Sequence, residues 1–263
     1  MMTANGNPPP AAAIQARGIR KSFGTNVVLN GLDLDIHEAE TLVIIGQSGC
    51  GKSVFLKHIM GLIRPDAGVI RVDGQEVTAV RGRELNLIRR KFGMVFQGAA
   101  LFDSLTVGEN VGFFLYEYSD FSRERVREII RDKLRLVGLE GVEDMKPAEL
   151  SGGMKKRVSL ARAIAHEPAF VLYDEPTTGL DPIMADVIND LIIKLDEQLD
   201  VTSVAVTHDM VSAYKIADRI AMMYGGKIIA VGSPEEIRNS PDPYVQQFIN
   251  GRGVGPIDVI GGA

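Results

Sequence analysis

Three short, continuous apolar runs punctuate the chain, each bounded by small or charged residues. Glu40–Gly46 (ETLVIIG), Phe170–Pro176 (FVLYDEP) and Val201–His208 (VTSVAVTH) read as buried strands. SVFLKHIMGL, Ser53–Leu62, reads as the helix after the first run, and MADVINDLIIKLDEQL as the helix between the other two. Apolar strands in series with helices predict an α/β fold with a parallel sheet covered on both faces. Two regions depart from that pattern. Residues 14–39 and 65–96 alternate apolar and polar positions, as in VIRVDG and FGMVFQ, which predicts half-exposed antiparallel strands. Residues 103–150, with SRERVREIIRDKLRLVGL, predict charged helices and hence a peripheral lobe. The opening MMTANGNPPPAAA lacks the charged-then-apolar order of a signal peptide, so residues 1–13 are expected to be a disordered leader. The Gly-rich GRGVGPIDVIGGA, residues 251–263, is expected to be a flexible tail.

Composition narrows the function. The 263 residues are 45% hydrophobic and 24% charged, ordinary for a globular chain. A net charge of -5 argues against a non-specific nucleic-acid binder, so no nucleic-acid partner is expected. One cysteine rules out an internal disulfide framework and fits a reducing compartment. No apolar run approaches the ~18 residues needed to span a bilayer, so a membrane role is expected to act through partners.

The first strand leads into GQSGCGKS, Gly46–Ser53, which matches G-x-x-x-x-G-K-[ST] between a strand and a helix. Glycines there let the backbone curl so that successive N–H groups face phosphate oxygens, and the helix N-terminus adds positive potential. Lys52 can reach terminal phosphates and the Ser53 hydroxyl can ligate Mg²⁺. The second strand ends in Asp174 and Glu175, and two carboxylates at a buried strand end are costly without a cation or polar ligand. Asp174 suits a metal shell, and Glu175 suits polarising a water for attack on a γ-phosphate. His208 ends the third strand at the edge where open α/β sheets bind ligands. Gln97 ends GMVFQ, where its amide can contact metal or water. Phe23 can stack on an adenine ring or belong to the core. Asp181 can act in the site or turn the chain before Pro182.

ELSGGMKKRVSLARAI, Glu149–Ile164, opens a helix on an N-cap serine, Ser151, and two glycines, Gly152 and Gly153. Lys155, Lys156 and Arg157 follow in its first turns, where the helix dipole disfavours positive charge. Such an end suits an anion, although some of these cations can simply face solvent. Cys50 is a small residue inside the phosphate loop, and its place before a helix can also lower its thiol pKa.

Taken in order, P-loop, glutamine, SGG, DE and histidine resemble the nucleotide-binding subunit of an ABC transporter over roughly residues 14–250. The resemblance implies a P-loop NTPase (RecA-like) parallel-sheet core, an N-terminal antiparallel β subdomain and an inserted α-helical subdomain at about 98–160. It implies an ATPase that holds ATP with Phe23, Gly46, Gln47, Ser48, Gly49, Cys50, Gly51, Lys52, Ser53, Gln97 and Asp181. Mg²⁺ is implied at Ser53, Gln97 and Asp174, and hydrolysis at Glu175 with His208 and Lys52. Ser151, Gly152 and Gly153 match the signature that caps the γ-phosphate in the other copy of a head-to-tail homodimer. Met154 departs from the commoner glutamine, and a thioether cannot donate the amide's hydrogen bonds.

FQGAALFDSLTVGENV, the terminal PDPYVQQFINGRGVGPI and LSGGM resemble the ATPases of Mla/Mce-type phospholipid transporters. That resemblance implies an inner-membrane permease and a periplasmic MCE-type lipid-binding subunit as partners. It also implies a cytoplasmic, peripheral position on the inner membrane. Tyr244, Val245 and Phe248 are then either contacts to the partner ATPase or local packing, and Phe102 and Leu105 either permease contacts or lobe core. The alternatives are the ATPase of an importer for amino acids or another polar solute, and a soluble ABC-type regulatory or clamp protein.

Overall fold

The computed structural model describes residues 12–258. In chain order the elements are β1 (Ala12–Phe23), β2 (Asn26–His37), β3 (Thr41–Ile45), α1 (Lys52–Ile59), β4 (Ala67–Val72), β5 (Gln75–Glu76), α2 (Gly82–Arg89) and β6 (Phe92–Val95). Next come α3 (Val107–Tyr118), α4 (Arg123–Leu136), a 3-10 turn at Pro147–Glu149, α5 (Gly152–Ile164), β7 (Phe170–Asp174) and α6 (Pro182–Leu199). Then follow β8 (Thr202–Thr207), α7 (Met210–Ile216), β9 (Arg219–Tyr224), β10 (Lys227–Gly232), α8 (Pro234–Arg238) and α9 (Pro243–Ile249). The described residues form two compact units, one of residues 12–86 and 206–258, the other of residues 87–205.

In the first unit β1 lies antiparallel between β2 and β4, with β5 outside β4. Ile14, Ala16 and Ile19 of β1 are all buried although their spacing breaks the strict alternation of a strand. A register shift between Ala16 and Ile19 absorbs the mismatch as a bulge, and Gly18 N–H donates to Asp33 Oδ1 at 2.7 Å there. β3 runs parallel to β9, which is antiparallel to β10. All five β3 residues are buried, as an apolar run covered on both faces requires.

Ala12 and Ala13 already belong to β1, which corrects the expected boundary of the leader; residues 1–11 lie outside the described residues. The tail also differs from expectation. Ile257 is 3% exposed; its N–H donates to Gln247 Oε1 at 2.6 Å, and Gln247 Nε2 donates to its carbonyl at 3.0 Å. A buried amide side chain thus pins the glycine-rich segment at Ile257. Residues 259–263 lie outside the described residues. Val245 is fully buried and the Tyr244 ring lies 4.9 Å from that of Tyr224, so both pack locally.

In the second unit β6 and β7 run parallel in register Phe92↔Phe170 to Val95↔Tyr173, and β8 lies beside β7. β6 is buried along its whole length, which corrects the expectation of a half-exposed antiparallel strand. The preceding α2 is likewise a helix inside a region expected to be strands. The helical lobe is α3, α4 and α5, so it runs past the expected limit at 160. Val107, Val111 and Leu115 of α3 share a core with Val126, Ile130 and Leu134 of α4. Thr106 and Glu109 close a capping box on α3, and Ser122 caps α4.

Gly93 of β6 sits against α5, where a Cβ would run into the carbonyl of Ala163. Backbone cannot yield there as a side chain can. Gly93→Ala is expected to cost about 3 kcal/mol of stability. Differential scanning calorimetry should show Tm lowered by roughly 6–12 °C, and an unchanged Tm would refute the close approach of strand and helix.

Candidate phosphate and carboxylate sites

In the first unit the chain leaves β3 at Gly46 and enters α1 at Lys52 through a loop only glycine permits at two points. Gly46 has φ 152°, and a Cβ on it would meet the carbonyl oxygen of Met223 and, at 2.9 Å, Cys50 Sγ. Gly51 caps α1 at φ 110°, with the Val28 and Leu29 side chains 3.0 Å from where a Cβ would be. Lys52 is 5% exposed, and its Nζ donates to the carbonyls of Gly46 at 2.7 Å and Gln47 at 3.1 Å. An ammonium out of water needs such partners. Its head group therefore lies inside the curl of the loop. Ser48 and Gly49 are exposed, while Gln47, Cys50 and Ser53 are half-buried.

Phe23 ends β1 with its ring 48% exposed and Lys21 Nζ 5.4 Å from the ring centroid, so it is not core. His208 is exposed between β8 and α7. Its backbone is fixed on both sides. Asp209 N–H donates to Thr207 Oγ1 at 3.0 Å, and the Asp209 carboxylate caps α7 through Val211 and Ser212 N–H.

In the second unit Asp174 ends β7 and Glu175 follows it, both buried. Glu175 adopts φ 50°, left-handed for a residue with a side chain. Thr178 Oγ1 donates to Glu175 Oε2 at 3.2 Å, which aims the carboxylate. Ser151 accepts from Met154 N–H at 3.3 Å as the N-cap of α5. Gly152 is exposed and Gly153 is covered by Met184, whose Cε occupies the place of a Cβ. Asp181 caps α6 through Ile183 N–H at 3.0 Å and Met184 N–H at 3.1 Å. Gln97 is exposed two residues past β6. Phe102 is exposed against the Phe113 ring at 4.9 Å, and Leu105 is half-buried.

The residue that sequence reasoning misread is Lys156. It is 5% exposed, and its Nζ donates to the Gln97 carbonyl and, at 3.4 Å, to the Glu175 carbonyl. Burial pushes its pKa down, and the Asp174 and Glu175 carboxylates push it back up. A signal was present in the periodicity: Gly153, Lys156, Leu160 and Ala163 share the buried face of α5. Arg157 instead reaches the Gly138 carbonyl at 3.1 Å. The structure thus joins Gly46, Gln47 and Lys52 in one unit, and Gln97, Glu175 and the signature helix in the other.

The ABC transporter family model matches residues 29–178. The "Probable ribonucleotide transport ATP-binding protein mkl" of Mycobacterium leprae is 41% identical over 253 residues, 96% of this chain and 73% of that protein. The "Intermembrane phospholipid transport system ATP-binding protein MlaF" of Haemophilus influenzae is 39% identical over 244 residues, 93% of this chain and 92% of that protein. Among solved structures, the dimeric bacterial ABC transporter cassette MJ0796 superposes with a TM-score of 0.78 at 34% identity. The match covers 84% of this chain and 98% of that one. The same cassette is known in a post-hydrolysis state bound to ADP and Pi, with a TM-score of 0.77. With the family model matching more than half of the sequence and two relatives near 40% identity along almost all of it, the chain belongs to the ABC transporter family, among its ATP-hydrolysing cassettes.

Proposed function

We propose that this chain is the ATPase of a phospholipid transporter, acting as a head-to-tail homodimer on an inner-membrane permease with an MCE-type periplasmic lipid carrier. The observation that carries the ATPase half is Lys52, desolvated inside a loop that Gly46 and Gly51 alone permit. In this reading Lys52 exchanges the Gly46 and Gln47 carbonyls for phosphate oxygens, so little further desolvation is needed on binding. The loop from Gly46 to Ser53 cradles the phosphates and the exposed Phe23 ring stacks on the base. In the second unit Glu175, aimed by Thr178, polarises the attacking water, and in the first unit His208 contacts a phosphate. A hard cation takes oxygen donors, and the resemblance offers the Ser53 hydroxyl in the first unit and the Asp174 carboxylate and Gln97 amide oxygen in the second. Mg²⁺ bound by such donors would supply positive charge to the phosphates. Ser151, Gly152 and Gly153 face the γ-phosphate of the partner copy, with Asp181 ordering the adjoining helix start.

The lipid half rests on the likeness to the Haemophilus protein, which extends over 92% of its length, together with the LSGGM signature and the tail stretch. The mycobacterial relative's name gives ribonucleotides instead, so cargo is the point to test. No helix of the described residues is long and apolar enough to cross a membrane, and attachment through the permease supplies the membrane site.

Three outcomes follow. Lys52→Ala removes two charge-assisted bonds to phosphate, each worth roughly 1.5 kcal/mol, and ATP affinity should fall about 100-fold in a direct binding assay. Retained affinity would remove Lys52 from the site. Glu175→Gln should lower kcat by at least ~100-fold while accumulating an ATP-bound dimer on size exclusion; continued turnover by a monomer would sink both the base and the dimer assignments. The chain purified with its membrane partners should carry phospholipid on a co-purifying MCE subunit, and co-purified ribonucleotide or an amino-acid binding protein in its place would overturn the lipid reading.

A further inference from the structure

Three residues with side chains hold left-handed backbone in the second unit close to the proposed hydrolytic groups: Ala99 (φ 61°), Ala100 (φ 48°) and Glu175 (φ 50°). Such conformations cost about 1 kcal/mol or more each and persist only where the surroundings over-determine them. Each of the three turns its carbonyl toward a cation on α5. Arg162 Nη2 donates to the Ala99 carbonyl at 2.8 Å and Nη1 to the Ala100 carbonyl at 2.6 Å. Lys156 Nζ donates to the Gln97 carbonyl and, at 3.4 Å, to that of Glu175. Ala99 is itself buried, and its N–H closes a turn on the Phe96 carbonyl at 2.9 Å. The loop after β6 is therefore gripped at three carbonyls by one helix, and the end of β7 at a fourth.

The geometry points to Lys156 as a positioning residue for hydrolysis: its ammonium, with Arg162 beside it on α5, holds the backbone of Gln97 and Glu175 in one register with the helix that begins at Ser151. This rests on the roles proposed above for Gln97 and Glu175. An ammonium suits the position because it offers three donors and no acceptor, and the groups it meets there are carbonyl oxygens. A shift of α5, whose N-terminus is the proposed contact with the partner's nucleotide, then displaces the metal-side amide and the water-polarising carboxylate together. Nucleotide affinity does not depend on this grip, but the rate of the chemical step does.

Steady-state ATP turnover by the full-length chain tests it, with thermal unfolding run in parallel to confirm folding. Lys156→Met should lower kcat at least 30-fold with KM for ATP within threefold of wild type. Lys156→Gln, which keeps an N–H donor, should return kcat to within fivefold of wild type. In a double-mutant cycle, Gln97→Ala should lower kcat about tenfold in the wild-type background but less than threefold when added to Lys156→Met. A residue that only fills space would give equal losses for Met and Gln and multiplying losses in the cycle, which would overturn the proposal. Wild-type kcat in Lys156→Met overturns it as well. If Lys156→Met is not recovered folded, Arg162→Lys, whose single ammonium cannot span both alanine carbonyls, should lower kcat at least fivefold at unchanged KM, and an unchanged kcat rejects the grip. Glu175→Gln separates the two levels of argument. Turnover persisting in that variant defeats the hydrolytic assignment itself, whereas its loss beside an active Lys156→Met defeats only the positioning role.

Discussion

Burying a lysine ammonium is among the most expensive things a fold can do; apart from Lys133, which pairs with Glu167, the described residues do it at Lys52 and Lys156, each beside its unit's proposed chemistry. In both cases the named partners are main-chain carbonyls. Lys52 takes those of Gly46 and Gln47, and Lys156 takes those of Gln97 and Glu175. Carbonyl oxygens point where the backbone points, so the ammonium dictates the path of the loop around it. The curl at Gly46 brings the backbone of Met223 so close that no side chain fits. The left-handed turn at Glu175 presents its carbonyl to Lys156 Nζ at 3.4 Å.

Carbonyl partners give the ammonium hydrogen bonds rather than a full opposing charge, and at Lys156 the Asp174 and Glu175 carboxylates act alongside them. A carbonyl holds the ammonium in place yet is readily exchanged for a phosphate oxygen, which is the stronger acceptor. At Lys52 that exchange is the proposed binding event. At Lys156 no exchange is needed, because the carbonyls themselves are what must stay in place. In the proposed roles the same chemistry serves recognition in one unit and rigidity in the other.

Legibility in the sequence followed the range of the interactions. β3, β7 and β8 were readable because continuous apolar runs report full burial directly, and the glycine loop because its spacing encodes backbone conformation. Phe23, Gln97 and His208 were candidates from their places at strand ends, but only the resemblance favoured a functional role over a surface or core one, since no local pattern separates them. β6 was misread because Gly93 offers no side chain to report the pressure of α5, leaving Phe92 and Met94 to mimic a half-exposed alternation. The pinning of Ile257 by Gln247 spans ten residues through one amide and leaves no periodic trace. Lys156 was hidden for a different reason: basic residues at a helix start read as a solvent or ligand face, although its position on the buried stripe said otherwise.

Magnitudes explain why α5 tolerates that lysine. Positive charge in the first turns of a helix opposes the dipole by about 0.3–1 kcal/mol. A hydrogen bond to a charged donor contributes roughly 1.5–3 kcal/mol, and Lys156 makes two. The bonds outweigh the dipole. Ser151 limits the remaining cost at the helix end by capping Met154 N–H, and the exposed Gly152 leaves the backbone there open to an anion that would reverse the dipole term. An incoming phosphate would therefore stabilise the very helix that holds Gln97 and Glu175. On the proposed roles, that links anion occupancy at the start of α5 to the firmness of Gln97 and Glu175 through a single rigid element.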